Sequence, residues 1–278
     1  MSIKNLSLLF LFPFLFSCSI IKHKDISYLV EDSKNTVKNE EVPSMNIYQP
    51  KIKKGEKSPV LIYVHGGNWN SGKKEYYNYF GKNFARKGVL TVIPGYNLSP
   101  AANYDEMTKQ IAEAISWVQE NSSEYGGDVS RIYLTGHSAG GHLVALATLN
   151  PKYGIAEESI AGIILNDAGG LDMHSYLLKN PPTEESNYIS TWTENPENWK
   201  DASPIYFLSE KSPKFKIYLG KKTYKSIDVS VRKFTVELKE FQPNIKLDMI
   251  NKRHIPMILQ YFWSSSNRYD EILEFMEE

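Results

Sequence analysis

The sequence predicts an α/β fold in which a parallel sheet is flanked by helices. Short apolar runs that are typical of fully buried strands, such as Pro59–Val64, alternate with segments such as Tyr104–Glu120, in which apolar residues recur at helical spacing. Strands that alternate with helices pair in parallel because each helix provides the crossover between two strands. With 41% hydrophobic residues among 278, the chain can bury one large core, which fits a single domain.

Residues 1–17 are expected to be an export signal that lies outside the fold. Lys4 precedes the apolar core Leu6–Phe16, and the small Ser17 stands directly before Cys18, the only cysteine in the chain. The apolar core is too short to span a bilayer, and this layout is that of a secretory signal peptide. Because there is a single cysteine, we expect no internal disulfide.

The position of Cys18 resembles the lipobox of bacterial lipoproteins. This resemblance implies that Cys18 becomes the first residue of the mature chain, carries a lipid and anchors the protein to a membrane. Ser19 at the next position resembles the signal for transit to the outer membrane, which implies a periplasmic or surface location. The alternative is an ordinary signal peptide with an incidental cysteine. Residues 18–42 are polar and lack sustained periodicity, so we expect a tether between the lipid and the domain.

The charge composition bears on the expected partners. The 32 basic and 32 acidic residues cancel, and no long block of one sign occurs. Such a surface offers neither a groove for nucleic acid nor a polybasic patch for a membrane. We therefore expect a small-molecule ligand rather than nucleic acid.

The domain is expected to occupy residues 43–278. Its strands are predicted at Met45–Tyr48, Pro59–Val64, Val89–Ile93, Ile132–Thr135, Ile160–Leu165, Phe215–Leu219 and Ile245–Ile250. Its helices are predicted at Lys73–Lys87, Tyr104–Glu120 and Ile227–Phe241, with a further helix that ends near Leu149. Residues 171–213 form a long, aromatic-rich segment, which we interpret as a lid or substrate wall. The alternative is a structural insertion whose aromatic side chains only pack on the core.

The segment Arg131–Leu149, RIYLTGHSAGGHLVALATL, is typical of a nucleophile elbow. A buried strand runs into GHSAG, and an apolar run rich in small residues follows as a helix. Gly136 and Gly140 permit a tight turn that exposes the hydroxyl of Ser138, the expected nucleophile. The N–H of Ala139, at the start of the helix, is an expected oxyanion donor. The alternative is a strand-to-helix connection whose serine only caps the helix.

The motif HGGNW, at residues 65–69, is the second one that indicates chemistry. Two glycines at the end of a buried strand let the backbone turn with its N–H groups directed outward. We expect the N–H groups of Gly67 and Asn68 to be oxyanion donors, and His65 and Trp69 to pack the loop. The alternative is a simple Gly-Gly turn.

HGGNW, the run GYNLSPAANYDE and the segment DVSRIYLTGHSAGGHLVAL together resemble the α/β-hydrolase superfamily. The resemblance is to the carboxylesterase branch, with its hormone-sensitive-lipase-like, feruloyl and acetyl-xylan esterase-like proteins and kynurenine formamidase. It extends from Pro43 to the C-terminus. It implies a mostly parallel sheet of eight strands, hydrolysis through an acyl-enzyme without metal or cofactor, and a catalytic serine, acid and histidine in that order. One departure is Gly95–Tyr96–Asn97, where the family usually has Asp-Tyr-Arg and a structural ion pair.

The catalytic base is sought among six histidines. One lies in the predicted tether, one in HGGNW and two on the elbow, which leaves His174 and His254. His254 follows the last predicted strand, where the resembling family places its base. We therefore predict His254 as the base and His174 as a surface or lid residue.

The catalytic acid is the second departure from the family. After the strand that matches Phe215–Leu219, the family has an aspartate where this chain has Thr223. The candidates to replace it are Asp167, Asp172 and Asp228. Asp167 is the first choice, since it ends the strand next to the elbow strand, at the edge where ligands bind such sheets.

Two classes of function remain open from the sequence. The first is a lipid-anchored serine esterase that acts on small acyl or aryl esters, with formamide or amide hydrolysis as its closest variant. The second is a catalytically impaired α/β-hydrolase domain that binds a ligand in the same pocket.

Overall fold

The computed structural model describes residues 20–31, 33 and 41–278. The predicted signal peptide and the predicted lipid site at Cys18 lie outside the described residues. Within the described part of the chain, no helix is both long enough and apolar enough to cross a membrane.

One sheet of eight strands organises the described residues, which confirms the predicted fold class. The strands are β1 (Ile21–Ser27), β2 (Ser44–Gln49), β3 (Ser58–Val64), β4 (Leu90–Pro94), β5 (Gly127–His137), β6 (Gly162–Asn166), β7 (Phe215–Lys222) and β8 (Leu247–Arg253). Their order across the sheet is β1-β2-β4-β3-β5-β6-β7-β8. The pairs β1-β2 and β2-β4 are antiparallel, and all other neighbours are parallel.

Helices cover both faces of the sheet. They are α1 (Asn78–Arg86), α2 (Tyr104–Asn121), α3 (Ala139–Leu149), α4 (Met173–Lys179), α5 (Tyr188–Trp192), α6 (Pro196–Asp201), α7 (Lys225–Leu238), α8 (His254–Leu259) and α9 (Asn267–Glu277). Alternate residues of a strand point to opposite faces. Val60 and Ile62 of β3 therefore belong to the core on the face covered by α2, α3 and α7, whereas Leu61 and Tyr63 belong to the core on the face covered by α1, α8 and α9.

The structure corrects the predicted tether, because residues 21–29 belong to the sheet and its core. β1 is an edge strand that pairs with β2, with Ile21 opposite Gln49. Tyr28 and Leu29, directly after β1, are buried. The strand was missed because backbone hydrogen bonds hold an edge strand, whose side chains can be polar on both faces. The predicted tether between Cys18 and the sheet is therefore much shorter than 18–42.

The parallel strands bring the motifs of the sequence to one edge of the sheet. HGGNW follows β3, GHSAG spans the end of β5 and the start of α3, Asp167 follows β6, and His254 follows β8. The carboxyl ends of parallel strands lie at the same edge, where ligands bind such sheets. We call this edge the carboxyl edge, and the opposite one the amino edge.

Candidate active site

The turn between β5 and α3 is strained and leaves no room for extra side chains. Ser138 has φ 55° and ψ −123°, a backbone conformation that residues other than glycine rarely adopt. A β-carbon at Gly136 would lie 2.3 Å from the backbone of Gly140, and one at Gly140 would lie 2.1 Å from the carbonyl oxygen of Val64. Both glycines of GHSAG are therefore required by the close approach of strand and helix, as in a nucleophile elbow.

Three side chains that are distant in sequence form a continuous hydrogen-bonded array at the carboxyl edge. Nε2 of His254 lies 2.9 Å from Oγ of Ser138, and Nδ1 lies 2.6 Å from Oδ2 of Asp167. A carboxylate only accepts hydrogen bonds, so Nδ1 carries the proton and Nε2 accepts from the serine hydroxyl when the ring is neutral. The side chains of His254 and Asp167 are 8% and 0% exposed. This array has the connectivity of a Ser-His-Asp triad.

Asp167 follows β6, and its carboxylate reaches across to the end of β7. Oδ1 accepts from the backbone N–H of Gly220 at 2.8 Å, and Oδ2 accepts from the hydroxyl of Thr223 at 2.5 Å as well as from His254. The backbone of Asp167 has φ 51°, a region that aspartate enters more readily than most residues. Thr223 thus stands at the family's usual acid position and donates to an acid on the neighbouring strand. Sequence reasoning gave Thr223 no such role, since no sequence signal pairs it with Asp167.

The other candidates for acid and base are engaged elsewhere. Asp172 forms an ion pair of 2.5 Å with Lys233. Burial opposes ionisation of this carboxyl, but the hydrogen bond from Lys233 and its positive charge hold the pKa of Asp172 below its usual value. Asp228 pairs with Arg232 on α7. His174 lies on α4, where its Nδ1 is 3.1 Å from a tyrosine hydroxyl. The structure brings none of the three to Ser138.

The HGGNW loop has a backbone that depends on glycine. Gly67 has φ 133°, and a β-carbon there would lie 1.9 Å from the carbonyl oxygen of Ser71. Gly67 and Asn68 line the cavity that contains Ser138, and their N–H groups donate to no other residue of the described chain. Ala139 is the first residue of α3, so its N–H has no acceptor within the helix. Within the described residues, the N–H groups of the three predicted oxyanion donors are therefore available to bind a ligand.

Trp69 fixes this loop through a buried histidine. Its Nε1 donates to Nδ1 of His142 at 3.2 Å, and Nε2 of His142 donates to the carbonyl oxygen of Ala202 at 2.8 Å. Burial lowers the pKa of His142 to about 4, so the ring is neutral and can accept from tryptophan. The ring of Trp69 also packs edge-on against Trp192 at 4.7 Å. The loop is thereby tied to the segment 171–213.

His137, the residue before the nucleophile, packs against His254 and is hydrogen-bonded to its backbone. The two rings stack with centroids 4.5 Å apart, and Nε2 of His137 donates to the carbonyl oxygen of His254 at 3.0 Å. Burial, followed by repulsion from His254, lowers the pKa of His137 to about 3. His137 is therefore neutral and can stack without opposing a charged His254. Sequence reasoning gave it no role, and its place beside Ser138 was the only available signal.

His65 packs the loop as the sequence predicts. Its ring stacks on that of Tyr96, with the ring centroids 4.5 Å apart.

An amide pair, Asn97 and Gln110, lies where the family usually has an ion pair. The N–H of Asn97 donates to Oε1 of Gln110 at 2.8 Å, and Nε2 of Gln110 donates to Oδ1 of Asn97 at 2.8 Å. The loop after β4 is therefore held to α2 without charge.

A cavity of about 810 Å³ opens over Ser138. Its wall includes six tyrosines, namely Tyr76, Tyr77, Tyr79, Tyr176, Tyr188 and Tyr224. Its only lining carboxylate among the described residues, Asp172, is paired with Lys233. The described residues contain no group of three or more His, Cys, Asp or Glu side chains placed to hold a metal. The wall thus suits an uncharged ligand with apolar or aromatic parts.

The segment 171–213 contributes both to the cavity and to the core. Tyr176 and Tyr188 line the cavity. Trp192 and Trp199 are buried in the core, with exposures of 0% and 5%. The segment therefore supplies aromatic side chains both to the cavity wall and to the core, and its role as a lid or substrate wall stays a prediction.

Hydrolases are among the curated proteins that the chain resembles in sequence. Esterase LipQ of Mycobacterium tuberculosis is 29% identical over 205 residues, which cover 69% of this chain and 48% of that protein. Kynurenine formamidase of Salmo salar is 38% identical over 88 residues, which cover 32% of this chain and 29% of that protein. The chain thus spans about half the length, or less, of these curated relatives.

Comparison of structures supports the fold, and comparison with protein families shows the family. The crystal structure of Esterase B from Lactobacillus Rhamnosis has a TM-score of 0.71 at 16% identity, over 93% of this chain and 85% of that one. At this identity the likeness concerns the fold alone. The sequence profile of the family described as BD-FAE matches residues 45–229. Because that match covers more than half of the chain, the protein belongs to the BD-FAE family, and its fold is that of the α/β-hydrolases.

Proposed function

We propose that the protein is a serine hydrolase of carboxylic esters that acts through an acyl-enzyme. The observation that supports this most is the array of Ser138, His254 and Asp167, with distances of 2.9 and 2.6 Å, at the wall of a cavity of about 810 Å³. Esterases among the relatives and among the structures of similar fold support the same class of reaction.

In the first step, Oγ of Ser138 attacks the acyl carbon while Nε2 of His254 takes the hydroxyl proton. Asp167 accepts from Nδ1, holds the ring in the required tautomer and stabilises the imidazolium that forms. The imidazolium then protonates the departing alcohol, which leaves an acyl-serine. In the second step, His254 takes a proton from a water molecule that attacks the acyl carbon. The bond from that carbon to Oγ of Ser138 then breaks, the carboxylic acid leaves, and His254 returns the proton to Oγ.

The negative oxygen of each tetrahedral intermediate needs hydrogen-bond donors. The N–H groups of Gly67, Asn68 and Ala139 are the proposed donors, and the positive end of α3 lies beside them. Such a donor typically contributes about 3 kcal/mol of transition-state stabilisation. The fixed conformation of the HGGNW loop matters here because donors that are already in place need no reorganisation during the reaction.

The proposed substrates are uncharged esters with small acyl or aryl groups. The tyrosines of the cavity wall favour apolar and aromatic groups, and Asp172, the carboxylate among the described lining residues, is already paired with Lys233. Formamide or amide hydrolysis is the second candidate, favoured by the similarity to kynurenine formamidase over 88 residues. The same nucleophile, base and oxyanion donors serve both reactions.

The test is hydrolysis of chromogenic acetyl and butyryl esters, together with an aryl formamide, by the purified protein. We expect Ser138→Ala to lose nearly all activity and all labelling by a fluorophosphonate probe. Ser265→Ala, which changes an exposed serine near α9, is the matched control and retains both. A parent protein that hydrolyses no ester or formamide and is not labelled would contradict the proposal and favour a ligand-binding role.

We also propose that the protein is exported and anchored to a bacterial membrane by a lipid on Cys18. The support is the sequence pattern before and at this cysteine.

A further inference from the structure

The ends of β6 and β7 bring residues 167 and 223 together. The two strands are parallel neighbours, with Asn166 opposite Tyr218, so Asp167 leaves the sheet beside the last residues of β7. β7 then ends in a turn that is closed by a hydrogen bond of 3.1 Å from the N–H of Thr223 to the carbonyl oxygen of Gly220. Both side chains are therefore attached to rigid parts of the carboxyl edge.

The hydroxyl of Thr223 and the ring of His254 meet at a single oxygen atom. Oδ2 of Asp167 lies 2.5 Å from Oγ1 of Thr223 and 2.6 Å from Nδ1 of His254. The other oxygen, Oδ1, is held by the N–H of Gly220 at 2.8 Å. The hydroxyl therefore restrains the oxygen that His254 uses.

We propose that Thr223 is a positioning residue that aims the carboxylate of Asp167 at His254. The proposal rests on the function proposed above. The proposal explains why a neutral donor suits position 223: it can donate to the carboxylate of Asp167, whereas a second carboxylate there would repel it.

The first experiment removes only the hydroxyl. We expect Thr223→Val, which keeps the shape of the side chain, to lower kcat/KM about tenfold or more, since hydrogen bonds to charged groups are among the stronger ones. The acid limb of the pH–rate profile should move to higher pH, because a carboxylate with one donor fewer holds the imidazolium more strongly. Thr223→Ser, which restores the donor, should recover most of the loss.

The matched control is Thr235→Val on α7. Thr235 is buried, whereas Thr223 is half-buried. The hydroxyl of Thr235 donates to the carbonyl oxygen of Val231 within the helix and contacts nothing in the array. We expect this control to leave the pH–rate profile unchanged. A Thr223→Val variant with the profile and kcat/KM of the parent overturns the positioning role.

The second experiment removes the carboxylate that Thr223 contacts. Asp167→Asn should lose roughly 10⁴ in turnover, the usual cost of removing the triad carboxylate. Asparagine tolerates the left-handed backbone at this position, so the fold should persist. An Asp167→Asn variant with the turnover of the parent overturns the proposal.

An independent measurement separates this proposal from the proposed function. The proton on Nδ1 of His254, bonded to Asp167, should give a low-field NMR resonance in the parent, and Thr223→Val should shift it while Thr235→Val does not. This readout needs no substrate. If the parent hydrolyses no ester, the proposed function fails, and the resonance still decides the role of Thr223. An unshifted resonance in Thr223→Val contradicts that role.

Discussion

Three buried histidines around the candidate site are neutral in the folded protein at pH 7. Burial lowers the pKa of His65 to about 4, that of His137 to about 3 and that of His142 to about 4. Each ring makes a hydrogen bond to a backbone carbonyl oxygen. The HGGNW loop and the elbow are thus fixed by imidazoles that must stay uncharged, which ties the stability of the site to pH.

We predict that stability falls as the pH is lowered from about 6.5 to 4. In this range the histidines of the unfolded chain bind protons and those of the folded protein do not, so acid favours unfolding. For His142 alone, the loss between pH 7 and pH 5 is about 2 kcal/mol. Urea unfolding at both pH values tests this, and His142→Gln, which keeps a donor and an acceptor, should reduce the difference. If the parent and His142→Gln lose the same stability between pH 7 and pH 5, the attribution of this loss to His142 is wrong.

A second prediction at the scale of residues concerns the base. Because the hydroxyl of Ser138 is a weak nucleophile without a base, His254→Ala should lower esterase turnover by roughly 10⁴-fold or more. His174→Ala is the matched control, since His174 lies on α4 and does not reach Ser138. Turnover numbers for a chromogenic butyryl ester decide the matter. The reverse result, in which only His174→Ala is inactive, would remove His254 from the mechanism.

At the scale of elements, the junction of β5 and α3 should be the position least tolerant of added volume. A β-carbon at Gly140 would lie within 2.6 Å of carbonyl oxygens of both Val64 and His65. Because these are backbone atoms, they cannot rotate away. We predict that Gly140→Ala destabilises the protein by about 1–3 kcal/mol or more and lowers Tm by roughly 3–10 °C.

The control for this prediction is Gly169→Ala. A β-carbon there would lie 3.6 Å from the ring of Trp69 and 3.8 Å from Ser138, which are ordinary contacts. Thermal unfolding followed by circular dichroism should show a small shift for Gly169→Ala and a large one for Gly140→Ala. Similar shifts in the two variants would indicate that the elbow can relax around an added methyl group.

The elements differed in how well the sequence predicted them. The buried central strands, such as β3, were predicted because their uninterrupted apolar runs have few alternatives in a chain with flanking helices. β1 was missed because its seven residues, IKHKDIS, show no apolar face and are held by backbone pairing. The predicted helix Lys73–Lys87 is a 3₁₀ turn, Lys74–Tyr77, followed by α1, a boundary that periodicity does not resolve.

In the candidate site, too, the sequence predicted some residues and could not predict the contacts of others. Ser138 and the glycines around it follow from local sequence, because the tight turn restricts the residue types that fit. Asp167 was one of three candidates, and only the pairing of β6 with β7 places its carboxylate between Thr223 and His254. Contacts of this kind depend on strand order and register, which a single sequence does not encode in any local pattern.

At the scale of the whole molecule, we predict that Cys18 determines where the protein is found. A lipid at this cysteine should retain the protein in the membrane fraction, whereas Cys18→Ala should abolish labelling by a fatty-acid analogue and the anchoring. The folded domain should be unaffected, because the sheet begins at Ile21. Equal metabolic labelling of parent and Cys18→Ala would contradict the lipoprotein proposal.

The antiparallel edge strands determine how such an anchored molecule would face its surroundings. Ile21 pairs with Gln49, and the start of β1 therefore lies at the amino edge of the sheet, opposite Ser138. Only Ser19 and Ile20 separate Cys18 from β1, a chain length of roughly 10 Å at full extension. The amino edge would then rest close to the bilayer, and the cavity would point outward into the aqueous space.

This orientation suits substrates that arrive from solution or belong to bulky polymers, rather than lipids within the supporting membrane. The orientation can be measured by energy transfer from a dye on the protein to an acceptor in the bilayer. The dye is attached to a single introduced cysteine, either Lys246→Cys at the amino edge or Tyr76→Cys at the cavity mouth. We expect stronger transfer from position 246. In the lipidated protein Cys18 is blocked, so each variant offers one reactive thiol. An anchor that emerged at the carboxyl edge would instead turn the active site toward the lipid and restrict it to substrates within the membrane.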